Sequence, residues 1–304
     1  MNRRDFLQHM TAAGALASLP LPSLLAAPAL RKRAKLQWGC AAITWQGHDH
    51  TAIEEVAQLG YRGIQLRANV IDEFGTQPQT LRDLLAQHHL QMPVFSSGTV
   101  RCESLAGAQQ EIALHTEHAR FVKQMGGQYL QVVEFMKPSG DRPTDDDFRL
   151  LSDTLNTLGK RCADEGVTLV LHNHMGSLAE APENFDRLWS RCDASVVKIL
   201  LDVAHYQQGG GDPVEAIAKY APHIALFHIK DVRPVLKEGQ YTYEFVELGQ
   251  GQVDLPAVFE AIDEFEFNGW AIVELDRVPQ PNQTPYAAQL ISKTYLQKTL
   301  KRKF

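Results

Sequence analysis

The chain has 304 residues, 44% hydrophobic and 22% charged, a globular balance that excludes disorder, collagen and coiled coil as the main structure. The formal net charge of −6 argues against a surface built for nucleic acid. Four cysteines without a Cys-x-x-Cys pair exclude a disulfide scaffold or a cysteine-built zinc site, so Cys40, Cys102, Cys162 and Cys192 read as buried thiols.

The N-terminus reads as a targeting segment. Arg3-Arg4-Asp5-Phe6-Leu7 precedes an uncharged, Ala- and Leu-rich stretch from Met10 to Leu25, then Ala27-Pro28-Ala29, an A-x-A cleavage pattern. The paired arginines resemble a twin-arginine signal, which exports folded proteins. Pro20 and Pro22 interrupt the apolar run, so no stable membrane anchor is expected. Residues 1–29 are therefore expected to direct export to the periplasm, with 30–304 forming one domain. The leader holds Arg3, Arg4 and Asp5, one net positive charge, so its removal takes the chain from −6 to −7.

From there, short apolar runs alternate with longer amphipathic ones. The runs Leu36–Ala42, Gly63–Leu66, Met92–Ser96, Tyr129–Phe135, Val167–His172, Val196–Asp202, Ile224–His228 and Trp270–Glu274 predict eight strands. Several are continuously apolar, as parallel strands covered on both faces must be. Between them, Ile53, Val56 and Ala57, then Leu151, Leu155 and Leu158, then Leu255, Val258, Phe259 and Ile262 follow helical spacing. Asp212-Pro213 and Asp254 before Leu255-Pro256 read as helix starts. Eight β–α alternations predict an α/β fold, a (β/α)8 TIM barrel. A doubly wound dinucleotide fold lacks its Gly-x-Gly-x-x-Gly after the first strand.

Barrel enzymes build their sites at the carboxyl ends of the strands. Those ends carry Glu134; His172-Asn173-His174; Asp202 with His205 following; His228 with Lys230 and Asp231; and Glu274 with Asp276. Asp202 after Lys-Ile-Leu-Leu and Glu274 after Ala-Ile-Val would be buried carboxylates, which are costly unless paired or bound to a metal. A mixed carboxylate–imidazole set without thiolate suits a divalent ion such as Mn, Co, Fe or Zn. Such an ion would stabilise an enolate formed by removing a proton beside a carbonyl. His115 and His118 read as exterior helix residues, and Lys301-Arg302-Lys303 as a solvated tail.

At these residues the chain resembles the xylose isomerase-like superfamily of metal-dependent barrels, over about residues 36–300. That superfamily includes sugar isomerases and epimerases, inosose dehydratases and apurinic endonucleases. The resemblance implies metal ligands at Asp202 in Leu-Leu-Asp-Val-Ala-His, His228 in Phe-His-Ile-Lys-Asp and Glu274 in Ile-Val-Glu, with His205 contacting substrate or orienting a ligand. Where isomerases and epimerases usually carry a strand-5 glutamate, this chain has His172, a departure that tells against a two-glutamate epimerisation; we read His172 as the fourth ligand. His-Asn-His-Met-Gly-Ser at 172–177 is similar to the inosose dehydratase branch, as are Leu201–Pro213, His228–Arg233 and Ile43-Thr44-Trp45. The resemblance thus implies a lyase acting on a keto-sugar or keto-cyclitol. Glu134, His174 and Lys230 are proton-transfer candidates, with Glu274 also in the catalytic set; Trp45, His205 and Arg233 are substrate-contacting candidates. The alternatives are a sugar isomerase or epimerase and a non-catalytic exported sugar-binding module. The expected partner is a small sugar or cyclitol, and assembly into a homo-oligomer is left open.

Overall fold

The apolar runs pair with one another into a closed cylinder. The computed structural model describes residues 33–135, 142–237 and 239–304, so the leader expected at 1–29 lies outside the described residues. In chain order the strands are β1 (Lys35–Ala41), β2 (Gly63–Arg67), β3 (Val94–Val100), β4 (Tyr129–Glu134), β5 (Thr168–His172), β6 (Val197–Asp202) and β7 (Ile224–Ile229), then β8 (Asp231–Lys237), β9 (Gln240–Val246) and β10 (Asn268–Val273). The barrel order is β1-β10-β7-β6-β5-β4-β3-β2, parallel at every pairing.

Seven of the eight expected strands lie within two residues of their predicted ends. β3 is displaced: Pro93 offers no N–H, and pairing with β4 runs on through Ser96, Gly98 and Val100, with a register shift between Ser96 and Gly98. Its Ser-Ser-Gly-Thr composition reads as a turn, yet Gly98 takes φ +105° inside the strand. The antiparallel hairpin β8–β9 was not anticipated. Its signal is an alternation of Tyr241, Tyr243 and Phe245 after Gly239, whose φ of +79° suits a tight turn.

The helix starts follow the caps read from sequence. Asp212 accepts from the Val214 N–H at 2.7 Å and Asp254 from the Ala257 N–H at 3.1 Å. Most of the core lies between sheet and helices; the barrel interior is filled by Ala41, Val94, Val170, Leu200, Leu226, Trp270 and Ile272. Gly63 admits Trp270 into this interior: a Cβ there would sit 2.5 Å from the indole ring. Phe304 stacks on Trp38 at 4.8 Å, and the Trp38 indole N–H donates to the Lys303 carbonyl. Arg302 departs from the solvated-tail expectation, because its guanidinium is mostly buried and ion-pairs with Asp263 at 2.7 Å. Cys40, Cys102 and Cys162 are buried and Cys192 is half-buried; none of the four forms a disulfide.

His115 and His118 correct a second expectation. Both lie on the helix Leu105–Met125, and His115 is fully buried. Their Nδ1 atoms reach the Ser97 hydroxyl at 2.5 and 2.8 Å, and His115 Nε2 lies 3.2 Å from Glu111. A helical stripe that includes imidazoles is easily read as outward; here Ser97 on β3 supplies the partner that makes burial tolerable. Burial lowers the pKa of His115, and it also lowers that of His118, with His115 contributing. The stability tied to the neutral forms is complete above the ordinary histidine value of about 6.5 and is lost as pH falls below it, by up to about 1.4 kcal/mol per pH unit per group. Urea unfolding should therefore show a shallower loss of stability on acidification in His115→Asn than in the parent. Equal slopes would contradict this account.

Candidate active site

The parallel register brings the site residues to one rim. Asp202 is the register partner of His228 across β6–β7; His172 ends β5, and Glu274 follows β10. Asn173 fixes Asp202 from just past the end of β5, its side-chain amide donating to the Asp202 carbonyl at 3.0 Å and accepting from its N–H at 2.9 Å. Asp202 Oδ1 caps the helix Val203–Gln208 through the N–H groups of Ala204 and His205, at 2.9 and 2.8 Å.

Asp202 Oδ2, fully buried, accepts no hydrogen bond. It lies 3.7 Å from His172 Nε2 and 3.6 Å from His228 Nδ1, and His228 Nδ1 lies 3.4 Å from Glu274 Oε2. His228 Nδ1 and His172 Nδ1 are likewise buried without partners. Native interiors rarely leave so many polar atoms unsatisfied together. Single ligand atoms from His172, Asp202, His205 and Glu274 lie within 4.8 Å of one another. His205, however, already has both ring nitrogens engaged, with the Met175 N–H at 3.3 Å and Lys230 Nζ at 3.1 Å. The residues with capacity to spare for a divalent ion are thus His172, Asp202, His228 and Glu274, and two carboxylates with two imidazoles fit one.

The electrostatics agree. Burial, and then His228 beside it, lowers the His172 pKa to about 3, leaving a neutral ring whose lone pair can bind a cation. Burial pushes the carboxyls of Asp202 and Glu274 upward. Lys230 and the imidazoles more than reverse this, so both stay below the ordinary carboxylate range. Lys230 is completely buried, bonded to Glu274 at 2.9 Å and Asp276 at 2.6 Å, with Nζ 4.1 Å from the Phe245 ring centre. Burial would lower its pKa, but Glu274, Asp276 and Asp202 raise it well above the usual lysine value, so it is an ammonium. His174 stacks against His205 with ring centres 3.9 Å apart, and its Nδ1 faces the Met175 carbonyl at 2.6 Å. Nδ1 therefore carries the proton and Nε2 a lone pair. Burial lowers its pKa too.

Three expected site residues take other roles. Glu134 is buried, and its oxygens accept from the Leu178 and Ala179 N–H groups at 3.3 and 2.7 Å, so it pins the loop after β5. Trp45 is a core residue, 2% exposed, whose indole N–H donates to Glu55. Arg233 lies on the hairpin, ion-paired with Glu244 on the opposite strand at 2.8 Å. Asp231, beside the cluster in sequence, accepts from the N–H groups of Val232, Gly249, Gly251 and Val253 and organises the segment that follows the hairpin.

Sequence reasoning missed what the hairpin brings. Phe245 stands 4.9 Å from the His205 ring and covers Lys230. With Tyr243, Asp276 and Arg277 it lines a cavity of about 360 Å³. A second cavity, about 650 Å³, is lined by Arg101, Phe135, Ser177, Asn184 and Gln208, and Phe135 packs edge-on against His174 at 5.2 Å. Gln65 was also missed; a glutamine inside the apolar run Gly-Ile-Gln-Leu is the same kind of signal as Glu274.

A closed parallel barrel with a buried carboxylate–imidazole cluster at the carboxyl ends of its strands defines the class. Residues 53–294 match the Xylose isomerase-like TIM barrel family, and the chain belongs to that family. Inosose dehydratase from Lacticaseibacillus casei is 28% identical over 301 residues, covering 87% of this chain and 97% of that protein. The inosose dehydratase of Geobacillus kaustophilus (strain HTA426) is 27% identical, covering 85% of this chain and 92% of its own. Among solved structures, the IOLI protein with a binding zinc atom shares the fold with a TM-score of 0.72 at 19% identity, covering 88% of this chain and 99% of that one. Among the described residues no helix is long and apolar enough to cross a membrane.

Proposed function

We propose that the protein is a divalent-metal-dependent lyase of the inosose dehydratase kind, acting on a keto-cyclitol or keto-sugar. The observation that carries this reading is the unsatisfied pair Asp202 Oδ2 and His228 Nδ1, 3.6 Å apart in a fully buried cluster with His172 and Glu274. The inosose dehydratase relatives, matched over most of their own length, support the substrate class. A bound divalent ion would supply Lewis-acid stabilisation of negative charge on the substrate carbonyl oxygen.

The chain's own residues supply the rest. His174 Nε2 takes the proton from the carbon beside the carbonyl, giving an enolate. The Lys230 ammonium stabilises that charge. As the carbonyl re-forms, the C–O bond to the β-hydroxyl breaks, and the His174 imidazolium returns its proton to make water, which restores the neutral ring. The proton taken and the proton given balance over one turnover. Glu274 holds Lys230 charged through Oε1 while Oε2 faces His228. Export of the folded protein, ion in place, belongs to the same proposal and rests on the twin-arginine-like leader.

Incubation with keto-inositols and 3-keto-sugars in D₂O, with and without Mn²⁺ or Co²⁺, tests the proposal. We expect ion-dependent deuterium uptake accompanied by an unsaturated product. Uptake with return of an epimer instead would assign the same cluster to isomerisation or epimerisation. No uptake with any substrate would overturn the enolisation chemistry.

A further inference from the structure

Two glutamines interrupt the otherwise apolar filling of the barrel. Gln65 on β2 and Gln131 on β4 are 2% and 3% exposed. The Gln65 side-chain NH₂ donates to Gln131 Oε1 at 2.8 Å. This commits Gln65 Oε1 to accepting, and it lies 2.7 Å from His228 Nε2. His228 Nε2 therefore carries the ring proton, and Nδ1 is a bare lone pair. That lone pair points at two carboxylate oxygens, Asp202 Oδ2 at 3.6 Å and Glu274 Oε2 at 3.4 Å. A lone pair set against two anionic oxygens is repulsive unless a cation stands among them. Were Nδ1 protonated instead, it would donate to those carboxylates, and the three groups would satisfy one another with no ion.

We infer that Gln65, held by Gln131, is a positioning residue that sets the tautomer of His228 and thereby keeps the rim cluster open to a divalent cation. The inference rests on the metal reading proposed above and gives the two buried amides a role. Two amides in a barrel core are a costly filling unless they direct something. The nearest aliphatic substitute would pack as well but leave the ring free to protonate on Nδ1.

The test uses the full chain, freed of divalent ions by chelation, at about pH 8. Ring ¹⁵N shifts, with His228→Gln identifying the His228 signals, report the tautomer without any metal. The parent should show a single Nε2–H form. Gln65→Leu should shift His228 toward Nδ1–H, and Gln65→Glu, which still accepts, should retain the parent form. Co²⁺ titration followed by visible absorption should show Gln65→Leu binding about 10–100-fold more weakly, the usual effect of losing a ligand's orienting partner. Gln131→Leu, which frees Gln65 to rotate, should move both readouts the same way by less. Gln65→Met serves if Gln65→Leu does not fold. An unchanged tautomer and unchanged Co²⁺ affinity in Gln65→Leu would overturn the inference. Failure of the parent to bind Co²⁺ would overturn the metal reading, and the ring shifts would still decide what Gln65 does.

Discussion

Asp202→Asn should leave the fold intact and remove the chemistry. Asparagine caps a helix about as well as aspartate, so the N–H groups of Ala204 and His205 keep their acceptor. The change falls on Oδ2, which has no hydrogen-bond partner and faces His172 and His228 at 3.7 and 3.6 Å. Loss of several kcal/mol of Lewis-acid stabilisation corresponds to about a thousandfold in rate, at ~1.4 kcal/mol per decade. Turnover should fall by about that factor, bound divalent ion should fall below one equivalent, and the melting temperature of the ion-free protein should fall modestly. Folding holds this carboxylate ionised despite burial, through Lys230 at 4.0 Å and the imidazoles beside it, so its loss leaves the ammonium less compensated in the empty state. Activity within tenfold of the parent would show that the ion, if bound, is held elsewhere.

Lys230→Met should have the largest effect on stability. Lys230 is fully buried, and its ammonium is the cation bonded to Glu274 and Asp276 and lying 4.0 Å from Asp202. Removing one partner of a buried ionic cluster typically costs about 3–5 kcal/mol, because the remaining charges stay desolvated and uncompensated. The pH dependence has a definite sign. In the parent, Glu274 is held below the ordinary carboxylate range despite burial, by His228 and then Lys230. The stability it contributes is present above the ordinary glutamate value of about 4.3 and lost as pH falls through the lower folded value. In Lys230→Met part of that contribution is gone, so the deficit is full at neutral pH and narrows as acid protonates the unfolded carboxylates. Chemical unfolding at several pH values measures it, and Glu274→Gln in the same background should recover part of the loss. A deficit that is small and independent of pH would refute the ionic account.

Much of this was legible in the chain, for a physical reason. A parallel barrel buries each strand on both faces, so a charge near a strand end has to be explained by a partner. That made Asp202 and Glu274 conspicuous, and the parallel register placed them beside His228. What was illegible depended on contacts distant in sequence. Nothing local shows that Glu134 accepts from two backbone N–H groups of the loop after β5. Nothing local shows that Trp45 faces Glu55 within the core. His115 read as exterior because its partner Ser97 is on another element. The hairpin could have been found from its alternation, and with it Phe245 over Lys230.

The hairpin has a consequence for how the cover over the cluster can change. Among the described residues its strands pair only with each other, outside the closed cylinder, and it reaches the cluster through Phe245. Because a slip of two residues preserves which face each side chain occupies, such a slip would bring Tyr243 over the ammonium and leave every cylinder strand untouched. The buried cluster and the aromatic cover over it are thus written in separable stretches of chain, and the second can drift in length and composition while the first stays fixed.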